Sequence, residues 1–229
     1  MKHTKLVCNL KSCFFCTRCQ PAWLPALEAN RRVVTYKRGV TLFEEGKPME
    51  HMYFINSGLV KVHKQWGDKE LIVRFATSGD IAGHRGLGED SVYPVSGTAL
   101  EQTNVCLVDI DFFMDSLRVN PDLLMDLLMF FAAELKLSER KMRNMVHMSV
   151  KGRIAQAMLA LEQKFGINKA GQINIQLSRQ DFASFAGTTY ETSFRVMQDM
   201  EKDKWIRMDG KMITLLHREN LLMLTRDTA

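Results

Sequence analysis

Short runs of alternating apolar and polar residues fill residues 32–110 of this 229-residue chain. Turn-forming residues interrupt them at Lys37-Arg38-Gly39, Glu45-Gly46-Lys47-Pro48 and Asn56-Ser57-Gly58. This period predicts β-strands, and many short strands with a turn roughly every eight to twelve residues are typical of a β-barrel, roll or sandwich. The predicted strands include residues 33–35, 41–43, 52–55, 59–62 and 71–75.

The pattern becomes helical after Asn120-Pro121, a favourable N-cap followed by proline in the first turn. Neither Gly nor Pro occurs from there to about Met148. Apolar residues recur in steps of four and three, which favours a two-fold dimeric coiled coil over a helix packed only on its own β-domain. Both remain open, and the helix would be ~42 Å long. The seam consists of Leu124, Leu128, Phe131, Leu135, Ser138, Met142 and Met145.

The last third of the chain predicts a winged helix-turn-helix. An amphipathic helix over Val150–Phe165 stops at Gly166, and a short strand over Ile173–Ile175 follows. Capping boxes at residues 178–181 and 188–191 open two further helices around Gly187. The dipeptide Asp209-Gly210 then indicates a tight β-hairpin, the wing.

The predicted fold class is therefore α+β: a β-roll (jelly roll), a long dimerisation helix and a C-terminal winged helix-turn-helix. The predicted domains are a cysteine-rich arm (1–20), the β-roll sensor (21–112), the dimerisation helix (113–147) and the DNA-binding domain (148–229).

Charge and composition narrow the function. The net charge is +5, and residues 148–229 carry 12 basic against 9 acidic side chains, which is a weak indication of a polyanion partner. No apolar stretch reaches the ~18 residues of a membrane span, and no signal peptide is evident, so we expect a cytoplasmic protein without a membrane partner. The motifs of triad hydrolases, zinc proteases and nucleotide-binding enzymes are missing, so no enzyme is expected.

Four of the five cysteines stand in the first nineteen residues, as Cys8-x4-Cys13-x2-Cys16-x2-Cys19, and the fifth is Cys106. Thiols stay reduced in the cytoplasm, which favours metal binding over disulfides. Thiolates at two-residue spacing suit a soft metal centre, and this CxxCxxC spacing favours an Fe–S cluster. A zinc site or a thiol redox switch remains the alternative, although structural zinc usually uses two separated pairs. Phe14 and Phe15 either screen the metal or pack the arm on the β-roll.

The helix from Thr189 to about Lys202 carries candidate DNA-reading residues near its N-terminus. Arg195 suits guanine and Glu191 suits cytosine, although these i, i+4 neighbours could equally form a surface ion pair, and Glu191 could be a capping acid. We expect Phe194, Met197 and Met200 to pack inward. The candidate DNA contacts are Ser178, Arg179, Thr189, Tyr190, Glu191, Thr192, Arg195 and Lys211.

Ordered motifs make the chain resemble the CRP/FNR family of bacterial transcription regulators over about residues 25–220. The motifs are Arg38-Gly39-x-x-Leu42-Phe43-x-Glu45-Gly46, Tyr53-Phe54-Ile55-x-x-Gly58-x-Val60-Lys61-Val62, Ser78-Gly79-Asp80-x-x-Gly83 and Glu191-Thr-Ser-Phe-Arg195. The resemblance implies that the β-roll is of the cyclic-nucleotide-binding-like type and that the protein is a homodimer on a palindromic operator. It also implies contact of the loop at 85–89 with RNA polymerase.

Within the family, the segment Ala99-Leu100-Glu101-x-x-x-Val105-Cys106 resembles the oxygen-sensing branch. That resemblance implies an oxygen-labile [4Fe–4S] cluster, sensing oxygen or nitric oxide, on three arm thiolates and Cys106. We choose Cys13, Cys16 and Cys19, with Cys8 as a possible substitute. No cyclic AMP is expected, because His84 replaces the family's acid and no Arg follows Tyr93-Pro94-Val95-Ser96. Arg85 could substitute, which leaves a small β-roll ligand open; histidines are too scattered to indicate haem.

Overall fold

The computed structural model describes residues 12–226, and Cys8 lies outside them. The chain divides between Leu135 and Lys136, inside one long helix, into two compact units. The first unit is rich in β-structure, and the second is mainly helical with one β-hairpin. The predicted α+β class, with a β-domain, a long helix and a C-terminal helix-turn-helix, is confirmed.

Two antiparallel four-stranded sheets form the body of the first unit. One has the strand order β1-β8-β3-β6 and the other β2-β7-β4-β5. The β8 strand is central, because Cys106 pairs with Val33 of β1 on one side and Phe54 of β3 on the other. The strands are β1 (Arg31–Tyr36), β2 (Thr41–Phe43), β3 (His51–Ser57), β4 (Leu59–Trp66), β5 (Lys69–Thr77), β6 (Ile81–Ala82), β7 (Ser96–Ala99) and β8 (Thr103–Asp109).

The described part of this unit also has three α-helices and two short 3-10 helices (Pro21–Trp23 and His84–Gly86). The α-helices are α1 (Leu24–Asn30), α2 (Ile110–Val119) and the long α3 (Pro121–His147), which continues into the second unit. Asn120 separates α2 from α3, and its buried side-chain amide donates to the Ser116 carbonyl (2.8 Å). Proline at the first position of α3 lacks only an N–H that a helix start leaves unused. The predicted start of the long helix is therefore confirmed, and residues 113–119 form part of a separate helix.

The second unit places two short helices after α4 (Val150–Phe165), whose predicted bounds are confirmed. They are α5 (Arg179–Ala186) and α6 (Tyr190–Lys202), followed by β9 (Ile206–Asp209), β10 (Met212–Leu215) and α7 (Arg218–Met223). The β9 and β10 strands pair antiparallel around a Gly210-Lys211 loop, which forms the predicted wing.

The predicted strand over Ile173–Ile175 is wrong. Ile173 forms only an isolated bridge with Ile167 and donates its N–H to the Ile213 carbonyl (2.8 Å). The Ile175 N–H donates to the Ile173 carbonyl of the same segment (2.8 Å). This local bond turns the backbone out of the extended conformation, so its apolar residues are buried without forming a ladder. Among residues 12–226, no helix combines the length and apolarity of a membrane span.

Candidate functional site

The cysteine-bearing segment is a compact turn bonded to the β-domain. The Phe14 N–H donates to the Gly79 carbonyl (3.0 Å), and the N–H groups of Thr17 and Cys19 donate to the carbonyls of Cys13 (3.2 Å) and Phe15 (3.1 Å). Gly79 has a φ of +90°, and a Cβ there would come within 2.4 Å of the Ser12 carbonyl oxygen. Only glycine combines this backbone conformation with so close an approach.

Aromatic rings fix the turn on the core. The Phe15 ring stacks on Phe54 (5.0 Å between centroids) and meets the edge of Phe113 (5.4 Å), while Phe14 contacts Phe130 of α3 (5.3 Å). Large buried rings dominate core energetics. Of the two roles considered for Phe14 and Phe15, packing the segment on the β-domain is the one that the contacts display.

The four described cysteines lie in one buried cluster. Cys13, Cys16, Cys19 and Cys106 are each only 4–8% exposed and belong to the same apolar core. None of them is in a disulfide. The arm thiols are therefore part of the core of the folded domain.

The thiol groups interact electrostatically. Cys16 hydrogen-bonds to Cys13 and lowers the pKa of Cys13 to about 6, against the opposing effect of burial. Burial raises the pKa of Cys19 to about 11, and negative charge on Cys13 acts in the same direction. Because the thiols interact, deprotonation of one of them is favoured. Deprotonation of a second thiol is disfavoured unless nearby positive charge compensates the added negative charge.

Arg31 brings positive charge to this cluster. Its guanidinium donates to both carboxylate oxygens of Glu28 (2.6 and 2.7 Å), contacts the Cys106 thiol, and also lowers the pKa of Cys13. The side chain is 8% exposed, and among residues 12–226 its buried Nη1 has no acceptor in hydrogen-bond geometry. The Arg31 guanidinium thus places positive charge beside the buried thiols, where it favours the thiolate form.

Sequence reasoning missed Arg31 because its contact depends on strand pairing. The β1–β8 register sets Val33 opposite Cys106, and Arg31 stands two residues before Val33 on the same face of β1. Within residues 12–226, however, no three His, Cys, Asp or Glu side chains already form a group that could hold a metal ion.

A cluster of polar and charged side chains lies where the β-domain meets the first half of α3. His84 is 2% exposed, and neither ring nitrogen has a hydrogen-bond partner among residues 12–226. Its ring contacts Phe130 (5.0 Å) and Phe131 (5.4 Å). Burial lowers the pKa of His84 to about 3, and the nearby Arg74 and Arg85 add to this shift.

Arg85, which we had considered as a partner for a ligand, is bonded to Glu134 of α3 instead (2.6 Å). Arg74 approaches the same carboxylate (3.7 Å) and lies over the Phe130 ring (5.5 Å). This cluster of polar and charged side chains therefore fastens α3 to the β-domain.

Acid should destabilise the protein through His84. The unfolded state binds a proton near pH 6.5, whereas folded His84 stays neutral down to about pH 3. Stability from this residue is therefore full above pH 6.5 and falls as pH drops toward 3. Between pH 7 and pH 5, we expect the free energy of unfolding of the wild type to fall by about 2 kcal/mol more than that of His84→Leu.

Urea unfolding at both pH values measures this difference, with exposed His217→Leu as the control. Equal losses in wild type and His84→Leu would contradict the prediction.

The helix-turn-helix begins at a well-formed cap. The Ser178 hydroxyl accepts from the Asp181 N–H (3.0 Å) and also bonds the Asp181 carboxylate, as the first capping box predicts. Arg179, the first residue of α5, donates to the Gly210 carbonyl in the wing (2.6 Å). This bond joins the start of α5 to the tip of the hairpin, beside the exposed Lys211.

The α6 helix starts one residue later than the second capping box predicts. Its N-cap is Thr189, whose hydroxyl accepts from the Thr192 N–H (3.3 Å), so Glu191 is not the capping acid. Glu191 and Arg195 are both exposed, and within the described part of the chain no ion pair or side-chain hydrogen bond joins either to another residue. Their charged groups therefore remain available to a partner.

The inward position predicted for Phe194 is wrong. Ser193, Met197 and Met200 are buried in α6, whereas Phe194 is 36% exposed and its ring stacks on Tyr190 (5.9 Å). The physical reason is helical geometry: 193, 197 and 200 form one row in steps of four and three, and Phe194 lies about 100° further round the axis.

An apolar surface along α3 is left exposed by the other described residues of the chain. Leu123 and Leu127 are buried against the β-domain. By contrast, Leu128 is 59% exposed, and Leu124, Leu135 and Met142 are similarly exposed, with Phe131 and Met145 half-buried. Ser138 is also exposed. An exposed stripe of large apolar residues usually marks a protein interface.

Two family models match the chain: a cyclic nucleotide-binding domain over residues 33–120 and a Crp-like helix-turn-helix domain over residues 152–224. The chain is 30% identical over 205 residues to the cAMP-activated global transcriptional regulator CRP of Salmonella typhimurium, covering 86% of this chain and 96% of that protein. It is 28% identical over 185 residues to the anaerobic regulatory protein of Bacillus subtilis, covering 79% of this chain and 78% of that one.

The fold of FixK2 from Bradyrhizobium japonicum is also similar, with a TM-score of 0.77 at 23% identity over 87% of this chain and 99% of that chain. The helix-turn-helix match and the curated relatives define a DNA-binding transcription regulator, not an enzyme. The chain belongs to the CRP/FNR family of these regulators, and membership implies that it binds DNA as a dimer.

Proposed function

We propose that this regulator senses oxygen or nitric oxide through a [4Fe–4S] cluster held by Cys13, Cys16, Cys19 and Cys106. The observation that carries the proposal is the burial of the three arm thiols in the same core as Cys106. Residues separated by almost ninety positions in the chain thus share one buried region, although three of them come from a short terminal segment.

The chemistry of these residues fits the cluster. Four cysteine thiolates are its usual ligand set. A cluster with four thiolates is anionic, and the buried Arg31 guanidinium, which contacts Cys106 and lowers the pKa of Cys13, would balance part of that charge. When bound, the cluster supplies an inorganic centre that reacts with oxygen and nitric oxide. Cys8, outside the described residues, remains the substitute ligand.

Residues between and directly after the arm thiols connect this region to α3 and to the residue before it. Phe14 contacts Phe130, and Arg18 pairs with Asp126 (2.9 Å). The Asn120 side chain accepts from the Gln20 N–H (2.8 Å). A change in the arm therefore alters contacts on the helix whose opposite face carries the proposed dimer seam of Leu124, Leu128, Phe131, Leu135, Ser138, Met142 and Met145. The name of the Bacillus subtilis relative, an anaerobic regulator, supports a signal related to oxygen.

The DNA side of the proposal rests on α6. Glu191 and Arg195 would contact base edges of one G·C step in each half-site of a palindromic operator. Ser178, Arg179, Thr189, Thr192 and Lys211 would contact the phosphates around it, with Tyr190 at the edge of the bases. The loop at residues 85–89 would contact RNA polymerase, and the protein would act in the cytoplasm.

The deciding experiment measures iron, acid-labile sulfide and the absorption spectrum of protein purified without air and then exposed to it. The proposal predicts about four irons and four sulfides per chain, a colour that bleaches in air, and weaker operator binding afterwards. Protein that contains zinc or only free thiols, with neither iron nor sulfide, would overturn the Fe–S proposal while leaving DNA binding intact.

A second candidate is the same regulator controlled by a small ligand in the β-domain. The observation in its favour is buried His84, whose two ring nitrogens have no hydrogen-bond partner among residues 12–226. The Salmonella typhimurium relative is named as cAMP-activated. Against a cyclic nucleotide, Arg85 is already bonded to Glu134. Adding cyclic AMP to the metal-free protein separates the candidates, since a gain in operator affinity would favour this second one.

A further inference from the structure

Two aromatic side chains stand exposed on the DNA-reading helix. Tyr190 and Phe194 are four residues apart on α6, and their rings lie parallel within 7° at a centroid distance of 5.9 Å. They are 39% and 36% exposed, whereas Met197 and Met200 of the same helix are fully buried. The pair therefore forms a flat apolar surface that the core of this unit leaves uncovered.

This aromatic pair runs beside the proposed base-reading residues. Glu191 and Arg195 each follow one member of the pair by a single position, so the charged row and the aromatic row are separated by about 100° around the helix axis. Both rows begin in the first turn of α6, directly after the Thr189 cap. The N-terminal turn of a recognition helix is the part that reaches base edges in the major groove.

Only one group on the major-groove edge of ordinary DNA is apolar: the C5-methyl of thymine. A hydrogen-bonding residue gains from the other base edges, but a stacked pair of rings gains most from excluding water around a methyl group. Contact with the sugar–phosphate backbone would not distinguish sequences. The apolar surface is next to Glu191 and Arg195, whose charges suit base edges, and this position favours the methyl group over the backbone.

We infer that Phe194, supported by Tyr190, reads the C5-methyl group of a thymine adjacent to the base pair that Glu191 and Arg195 contact. Phe194 supplies the contacting face. Tyr190 stacks behind it and limits its rotamers, so less side-chain freedom is lost on binding. The inference depends on α6 being the base-reading helix, as proposed above, but not on the Fe–S cluster.

The test begins with the full-length protein selecting its operator from randomised DNA. Affinity is then measured for synthetic duplexes in which the thymines flanking the G·C step are replaced, one position at a time, by deoxyuridine, which lacks only the methyl group. At one position we expect a loss of about fourfold per half-site, the equivalent of one buried methyl at ~0.8 kcal/mol. Cytosine and 5-methylcytosine at that position show whether the methyl alone restores part of the affinity.

Variants connect that loss to Phe194. In Phe194→Ala, thymine and deoxyuridine should bind equally, whereas Phe194→Leu, which keeps an apolar side chain, should retain part of the preference. Trp66→Ala removes an exposed aromatic residue of the other unit and should leave the fourfold preference unchanged.

Three results would overturn the inference. In the first, wild-type protein binds deoxyuridine and thymine equally at every position. In the second, Phe194→Ala keeps the preference for the methyl group. In the third, wild-type protein selects no sequence at all, which would also remove the proposed base-reading role of Glu191 and Arg195. A selected G·C step without any methyl effect would overturn the thymine contact alone.

Discussion

Replacing Cys106 with alanine is expected to abolish the visible chromophore as completely as Cys16→Ala does. Cys106 is the one proposed ligand outside the arm, and it lies on the central strand β8 among buried residues. Among residues 12–226, no group of three His, Cys, Asp or Glu side chains is already arranged to hold a metal ion without it. Iron should fall from about four per chain to a residual amount, measured on protein purified without air.

Two control variants separate ligand loss from damage to the core. Val108→Ala removes buried volume from the same strand without removing a thiol, so it should lower stability by roughly 1–3 kcal/mol and keep the cluster. Cys8→Ala removes the arm thiol assigned as spare and should keep full iron content. Colour retained in Cys106→Ala would exclude Cys106 as a ligand. Colour lost in Cys8→Ala would instead show that the choice among the arm cysteines is wrong.

Arg195→Ala is expected to relax sequence preference at one base pair of each half-site. Arg195 is exposed, and within residues 12–226 it has no acidic partner that would compete with a base. A bidentate bond from arginine to guanine contributes about 1–3 kcal/mol of discrimination. Affinity for the selected operator should therefore fall by about tenfold or more, and affinity for the operator changed at that base pair should fall far less.

Lys211→Ala provides the contrasting case. Lys211 is exposed at the tip of the wing, where a phosphate contact is expected. Its loss should weaken binding to all sequences about equally and reduce the dependence of affinity on salt by roughly one counterion. If Arg195→Ala behaves in the same uniform way, Arg195 is a phosphate contact and base reading must depend on other residues.

The elements whose signals are local could be predicted from the sequence. Asn120-Pro121 fixes the start of α3, Gly166 ends α4, and the Gly210-Lys211 loop forms the wing, because capping and turn chemistry act over a few residues. The isolated bridge at Ile173 could not be separated from a strand, since a short apolar run is buried in either case.

The site depended on contacts that no local pattern records. The position of Arg31 beside Cys106 follows from the register of β1 on β8, and register involves the whole sheet. The exposure of Phe194 follows from which row of α6 faces the core, and an apolar residue at the edge of that row could be assigned to either side. Arg85 bonds to Glu134 because α3 packs on the β-domain, and no sequence pattern near Arg85 indicates that packing.

The Phe130 ring on α3 contacts described residues from different parts of the chain, among them Phe14 of the arm, His84 of the β-domain and the Arg74 guanidinium. Each of these neighbours restricts which residues can replace Phe130 at position 130 as the sequence evolves. A replacement that suits one neighbour disturbs the other two, so a lineage should change position 130 only together with positions 14 or 84. Divergence among descendants of this protein should therefore be slow at this ring and correlated across three distant segments of the gene.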